Sequence, residues 1–209
     1  MTALTILALG NVRPDDVAAL GARFAPLEQI DLPVPPRDAM ALHRAAINRA
    51  IDAAASNWIL ILREREVTDD SLADEILAVA AEENAKAWGY RIRVVPLYAG
   101  RPLRLGSANS GEVRLFHKRH YLRFANKGEW DEINVQGTVV RAQGPLHAIT
   151  FDSPMAHRGW LERTAVPHSA LRRVLLFLHD AVAARAFDTN TLHYLWIEAG
   201  FDQGRSRGA

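Results

Sequence analysis

Four consecutive residues, Arg63-Glu64-Arg65-Glu66, alternate cation and anion directly after the apolar run Trp58–Leu62. If the chain stays extended there, alternate residues project to one face. Arg63 and Arg65 would then offer two planar forks of N–H donors, the geometry that suits phosphate or carboxylate. If the quartet is instead an exposed loop, Glu64 and Glu66 pair with the arginines and little chemistry follows. Downstream, Glu129, Asp131 and Glu132 gather carboxylates. A carboxylate there could take a hydroxyl proton, and an ordinary acidic turn would have the same composition. His147 follows Gly144-Pro145-Leu146, and an imidazole in that place serves either structure or acid–base chemistry. His117 and His120 are three apart, but Lys118 and Arg119 between them disfavour a bound cation. His179-Asp180 reads as helix surface.

Charge is distributed unevenly although the net is only +1. Glu64, Glu66, Asp69, Asp70, Asp74, Glu75, Glu82 and Glu83 stand against Arg65 as the only cation before Lys86. Then Arg91, Arg93, Arg101, Arg104, Arg114, Lys118, Arg119, Arg123 and Lys127 face only Glu112. Such a basic segment is either an anion-binding surface or a solvated face beside an acidic helix. Scarce aromatic interleaving and the lack of a recognised module argue against nucleic acid.

The chain has 209 residues, 49% hydrophobic and 23% charged, the balance of a globular protein. Cysteine is absent, which removes disulfides, thiolate metal sites and cysteine nucleophiles together and suits a reducing cytoplasm. No apolar stretch reaches the roughly 18 residues of a transmembrane helix. Phosphate-loop, dinucleotide, metalloprotease and serine-hydrolase motifs are missing.

The elements that must hold these residues follow from periodicity. Thr5–Leu9 reads as a buried strand ending in Gly10-Asn11, and Pro14-Asp15-Asp16 as the start of a helix to about Ala25. Leu27–Leu32 gives a second strand and Asp38 a helix start before Met40–Ala54. Trp58–Leu62 reads as a strand covered on both faces. Thr68-Asp69-Asp70-Ser71 precedes an amphipathic helix through Leu72, Ile76 and Ala80. Strand and helix alternate, predicting an α/β fold with a doubly wound, largely parallel sheet. Beyond Tyr90 the strands expected are Arg91–Tyr98, Gly111–Phe116, Tyr121–Phe124, Ile133–Val140 and Leu146–Phe151. Helices through Leu171–Arg185 and Thr191–Ala199 and a disordered tail over 202–209 complete the reading.

Several of these pieces together resemble the GT-A family-2 glycosyltransferases, in the branch that modifies lipopolysaccharide cores and other envelope glycans. They are Asn48-Arg49-Ala50-Ile51, Trp58–Leu62, Glu112-Val113-Arg114-Leu115-Phe116-His117-Lys118, Trp130-Asp131-Glu132 and Gly144-Pro145-Leu146-His147. The order and spacing match over roughly residues 45–150. Two departures stand out. The first strand lacks the family's usual turn, and Arg63 and Arg65 occupy the Asp-x-Asp positions that hold Mg²⁺ or Mn²⁺ on the donor diphosphate in such enzymes.

The resemblance implies one compact GT-A-like domain over residues 1–201. It would have a nucleotide-binding-like half (1–90), a β-rich acceptor side (91–151) and C-terminal helices (152–201). It implies a glycosyltransferase-like protein of bacterial envelope or exopolysaccharide synthesis whose metal-dependent catalysis is altered or lost. Arg63 and Arg65 would grip the donor diphosphate with no divalent metal. Glu132 would be the base, and Arg114, Asp131 and His147 would hold the acceptor. The expected partners are a nucleotide-sugar donor, a glycan or glycolipid acceptor, and a second copy or a partner transferase. Neither nucleic acid nor an integral membrane segment is expected. The location would be cytoplasmic, peripheral at the inner membrane at most. The alternative is a non-catalytic binding or scaffold protein on the same fold.

Overall fold

The computed structural model describes residues 3–33, 40–82, 86–103, 111–122, 133–164, 177, 180–181 and 188–199. In chain order the elements begin with β1 (Leu4–Leu9), a 3-10 turn (Pro14–Val17), a short α1 (Ala18–Gly21) and β2 (Leu27–Leu32). Then come α2 (Met40–Ala53), β3 (Trp58–Arg63), β4 (Glu66–Thr68) and α3 (Asp70–Ala81). Next are β5 (Gly89–Ile92), β6 (Val94–Tyr98), β7 (Arg101–Pro102), β8 (Glu112–His117) and β9 (Tyr121–Leu122). β10 (Asn134–Val135), β11 (Val139–Arg141), β12 (Leu146–Phe151), α4 (Pro154–Thr164) and α5 (Thr189–Glu198) finish the order. The chain forms two compact units. One comprises Met1–Val94 with Ser110–His147, the other Val95–Asn109 with Ala148–Ala209.

The first unit is an α/β layer structure around a six-stranded sheet in the order β11-β5-β8-β3-β1-β2. β1 lies parallel to β2 and β3, with Leu7 opposite Ile30 on one side and Ile61 on the other. β8 runs antiparallel to both β3 and β5, and β11 is parallel to β5. Five of the six strands therefore run in one direction, as a largely parallel sheet requires, and β8, from the basic half, is the reversed strand between β3 and β5. The apolar run predicted to be covered on both faces is so covered. Trp58, Leu60 and Leu62 join Leu4, Ile6 and Ala8 against Leu72 and Ile76 of α3. Ile59 and Ile61 join Leu7 and Phe116 against Ile47, Ala50 and Ile51 of α2. Each such aliphatic side chain contributes about 1.5–3 kcal/mol when fully buried, so this sandwich fixes where the ends of β1 and β3 lie.

Local differences from the sequence reading have local causes. The helix expected from Pro14 to about Ala25 is a 3-10 turn followed by one α-turn, after which β2 begins at Leu27. The strand expected over Ile133–Val140 is divided into β10 and β11. α4 was not foreseen from periodicity. The last helix spans Thr189–Glu198 and not Thr191–Ala199; Asp188 caps it by accepting the Thr191 N–H at 2.9 Å. Of Leu171–Arg185 only 177 and 180–181 are described, all helical. The 202–209 tail lies outside the described residues. No helix among them is long and apolar enough to cross a membrane.

In the second unit β6 and β7 form a hairpin, Tyr98 opposite Arg101, turned by Ala99 and Gly100, both at positive φ. Its core is an aromatic stack around His157, which is 0% exposed. The imidazole lies flat against Phe151 (centroids 4.2 Å) and Tyr194 (5.0 Å), with Tyr98 edge-on at 5.6 Å. His157 Nε2 meets the carboxylate of Glu198. Burial, with Glu198 adding to it, pushes the Tyr194 hydroxyl up to about 12. His157→Ala should remove the middle of this stack at about 3–5 kcal/mol, the range for truncating a large core ring, read as a lower midpoint in urea denaturation.

Candidate functional site at the carboxyl ends of β1 and β3

The chain leaves β1 toward β2 on one side and later returns to β3 on the other. In open α/β sheets ligands bind outside the carboxyl ends of strands where the order reverses in this way. Two loops meet there, Gly10–Arg13 after β1 and Arg63–Glu66 after β3. The Glu64 N–H donates to the Leu9 carbonyl at 2.9 Å, tying the second loop to the end of β1, while the Gly10 N–H donates to the Leu32 carbonyl at the end of β2 at 2.8 Å. Gly10 has φ 93°, a left-handed conformation that favours glycine. Asp16, 2% exposed, anchors the first loop by accepting the Arg13 backbone N–H at 2.9 Å and its guanidinium at 3.0 Å.

β3 ends at Arg63, and Arg65 sits in a turn at φ 65°. The two arginines therefore do not project together from one strand face, as the extended reading of the quartet required. β8 runs antiparallel to β3, and continuing its register brings Glu112 opposite Arg63. Arg63 donates to Glu112 at 2.8 Å across a half-exposed pair, 46% and 47%. Arg114, two residues along β8, is enclosed at 2% exposure, so it is not an exposed strand residue. Its terminal nitrogens donate to both oxygens of Glu66 at 3.0 and 3.3 Å. The same Glu66 accepts the backbone N–H of Arg63 at 2.8 Å, which closes the turn. Arg114 Nε lies 3.2 Å from Glu112 Oε2 but is not aimed at it, and it makes no hydrogen bond among the described residues.

Four side chains thus alternate in charge, Arg63–Glu112–Arg114–Glu66, and sum to zero. Burial pulls the Arg114 guanidinium below the usual arginine range, opposed chiefly by the charge of Glu66. Glu66 and Glu112 are the carboxylates of this four-residue chain, and both face guanidinium groups.

Past β4 a second polar contact forms. Asp69 Oδ1 accepts the Leu72 N–H at 2.8 Å as the cap of α3, and Asp69 Oδ2 lies 3.2 Å from His147 Nε2. Glu75 on α3 accepts the backbone N–H groups of Gln143 (3.0 Å) and Gly144 (2.8 Å). Glu132 and Asp131, expected as base and acceptor contact, lie outside the described residues. His117 and His120 are at the opposite end of β8. Trp88 stacks on His120 at 4.0 Å and meets His117 edge-on. Burial first, then His120, Arg119 and Lys118, hold His117 below the usual histidine range.

Of the expected site residues, Arg63 and Arg114 come together through Glu112, and His147 stands with Asp69. Glu66, Glu112 and Asp69 are the members that reading the sequence missed. Glu112 had a signal, as the lone acid among nine cations. Asp69 was legible only as a helix start, since a cap residue shows nothing of its second oxygen. No family model matches the chain, and no curated protein matches it.

Removing Arg114 leaves Glu66 charged and buried without its partner. Arg114→Ala should therefore destabilise by about 3–5 kcal/mol, whereas Arg63→Ala, at an exposed pair, should change stability by about 1 kcal/mol or less. Chemical denaturation of the two variants checks the contrast. For His117 the unfolded chain binds the proton more readily. Its contribution is therefore present above the ordinary histidine range and is lost as pH falls through that range toward the depressed folded value. His117→Gln should lose less stability than wild type between pH 7.5 and pH 5, measured as the difference in Tm.

Proposed function

We propose that this chain is a glycosyltransferase-like protein of bacterial envelope or exopolysaccharide synthesis, with a GT-A-like first unit that takes a nucleotide-sugar diphosphate without a divalent metal. The observation that carries the reading is the half-exposed Arg63–Glu112 pair at the sheet's switch point. An exposed ion pair is worth about 1 kcal/mol or less, so a diphosphate, with more charge and more acceptor oxygens than one carboxylate, can displace Glu112 from Arg63. Glu112 then has somewhere to go. Arg114 Nε, 3.2 Å from it, is a donor without a hydrogen bond among the described residues. Arg65 in the adjoining turn supplies the second guanidinium. In this reading the arginines do what a metal does in related transferases, neutralising charge on the departing diphosphate. Asp131 and His147 would contact the acceptor, and a cytoplasmic location follows from the nucleotide donor.

A non-catalytic scaffold is the second reading, favoured by the same four-residue chain. Its guanidinium charges are already matched by Glu66 and Glu112, and a site kept only for assembly needs nothing more. Thermal shift against nucleoside diphosphates and nucleotide-sugars, with and without Mn²⁺, separates the two. The transferase reading expects stabilisation that does not need metal. Arg63→Ala should weaken it by about tenfold in Kd, or about 1.4 kcal/mol, while Glu112→Gln should strengthen it by releasing Arg63. No response to any nucleotide leaves the scaffold, and a response that requires Mn²⁺ defeats the arginine grip.

A further inference from the structure

Asp69 divides its carboxylate between two partners, the Leu72 N–H on Oδ1 and His147 Nε2 on Oδ2. An ionised carboxylate only accepts. In the neutral ring, His147 Nε2 therefore carries the hydrogen and Nδ1 carries the lone pair. That Nδ1 is buried and hydrogen-bonded to nothing among the described residues. Leaving a buried polar atom unpaired costs about 1–3 kcal/mol, yet the surroundings hold it in place. Glu75 grips the backbone N–H groups of Gln143 and Gly144. Gly144 sits so close to α3 that a Cβ would meet Leu72 Cα at 2.8 Å. Helix α3 thus fastens the segment leading into His147 at two points and presents the imidazole to the cap residue of the same helix.

The position suits a reaction at the β3 edge. From Glu66 the chain runs extended through β4 into Asp69 (φ −91°, ψ 172°). The dyad is therefore about 10 Å along the chain from the Arg63–Glu66 turn, a span that a sugar ring and its phosphate can bridge. We infer that His147 is the proton acceptor of the site, with Asp69 as its positioning residue, in place of Glu132. The inference rests on the transferase reading above. In the step, the acceptor hydroxyl oxygen bonds to the anomeric carbon as the bond from that carbon to the diphosphate oxygen breaks. The diphosphate leaves with the electron pair, the hydroxyl proton passes to His147 Nδ1, and Asp69 balances the imidazolium. The ring is 24% exposed while Nδ1 itself is covered, so the acceptor reaches it by displacing that cover as it binds.

The test uses the full chain and the nucleotide-sugar that gives the largest thermal shift. Nucleoside diphosphate release is followed for wild type, His147→Gln, Asp69→Asn and Glu132→Gln. Asparagine caps a helix as well as aspartate does, so Asp69→Asn keeps α3 while removing the charge from His147. The expected result is unchanged Tm and donor shift in both dyad variants. His147→Gln should lose about 10²–10⁴ in kcat, Asp69→Asn should lower kcat with KM unchanged, and Glu132→Gln should keep turnover. ¹⁵N spectra should show His147 in the Nε2–H tautomer in wild type and altered in Asp69→Asn. Full turnover by His147→Gln, or a wild type that binds donor without turnover, overturns this inference and leaves the binding reading standing. A wild type that no nucleotide-sugar stabilises ends both.

Discussion

The edge of this sheet is organised from beneath by one enclosed ion pair, Arg114 with Glu66. Two charges taken out of water lose hydration worth several kcal/mol each, and their attraction repays this only when the geometry is good and the remaining atoms are bonded. Here the fork of Arg114 meets both oxygens of Glu66, and one of those oxygens also accepts the Arg63 amide. The pair therefore does more than satisfy itself. It fixes the turn that ends β3, and through that turn the course of β4 and the place of Asp69. The counter-charge to Glu66 comes from within the sheet, on a strand that enters it antiparallel.

That arrangement layers two ion pairs of different exposure at the edge. Arg63 and Glu112 form a half-exposed pair, with Glu112 also 3.2 Å from Arg114 Nε, whereas Arg114 and Glu66 are enclosed. On the proposed reading, an exposed outer pair over an enclosed inner pair lets charge be rearranged at the surface with the turn unchanged below. On the proposed transferase reading, the side chain that a diphosphate displaces is an acid with a second cation 3.2 Å away.

The sequence discloses much of this fold and less of its site, for a physical reason. Trp58–Leu62 is legible because burial on two faces demands an unbroken apolar run, and Leu146–Phe151 because its boundaries are set by neighbouring turn residues. The helix expected after Pro14 is shorter in the structure, because Leu20 and Phe24 satisfy a helical stripe and a compact turn alike. Site geometry is harder, since the partners are distant along the chain. Glu66 meets Arg114 across 48 residues and Asp69 meets His147 across 78. Spacing within a segment carries no trace of such pairings. Arg65 shows the local limit as well: its positive φ belongs to the turn that Glu66 closes, and nothing in an Arg-Glu-Arg-Glu string announces it.

The placement of β8 also shapes how the chain must come together during synthesis. One edge of β3 pairs with β1, which has already been made, but its other edge waits for residues 112–117, translated some fifty residues later. In the finished sheet β5 does not take that edge, since it pairs with β8 and not with β3. A continuous apolar strand with an open hydrogen-bonding edge invites association with another nascent chain.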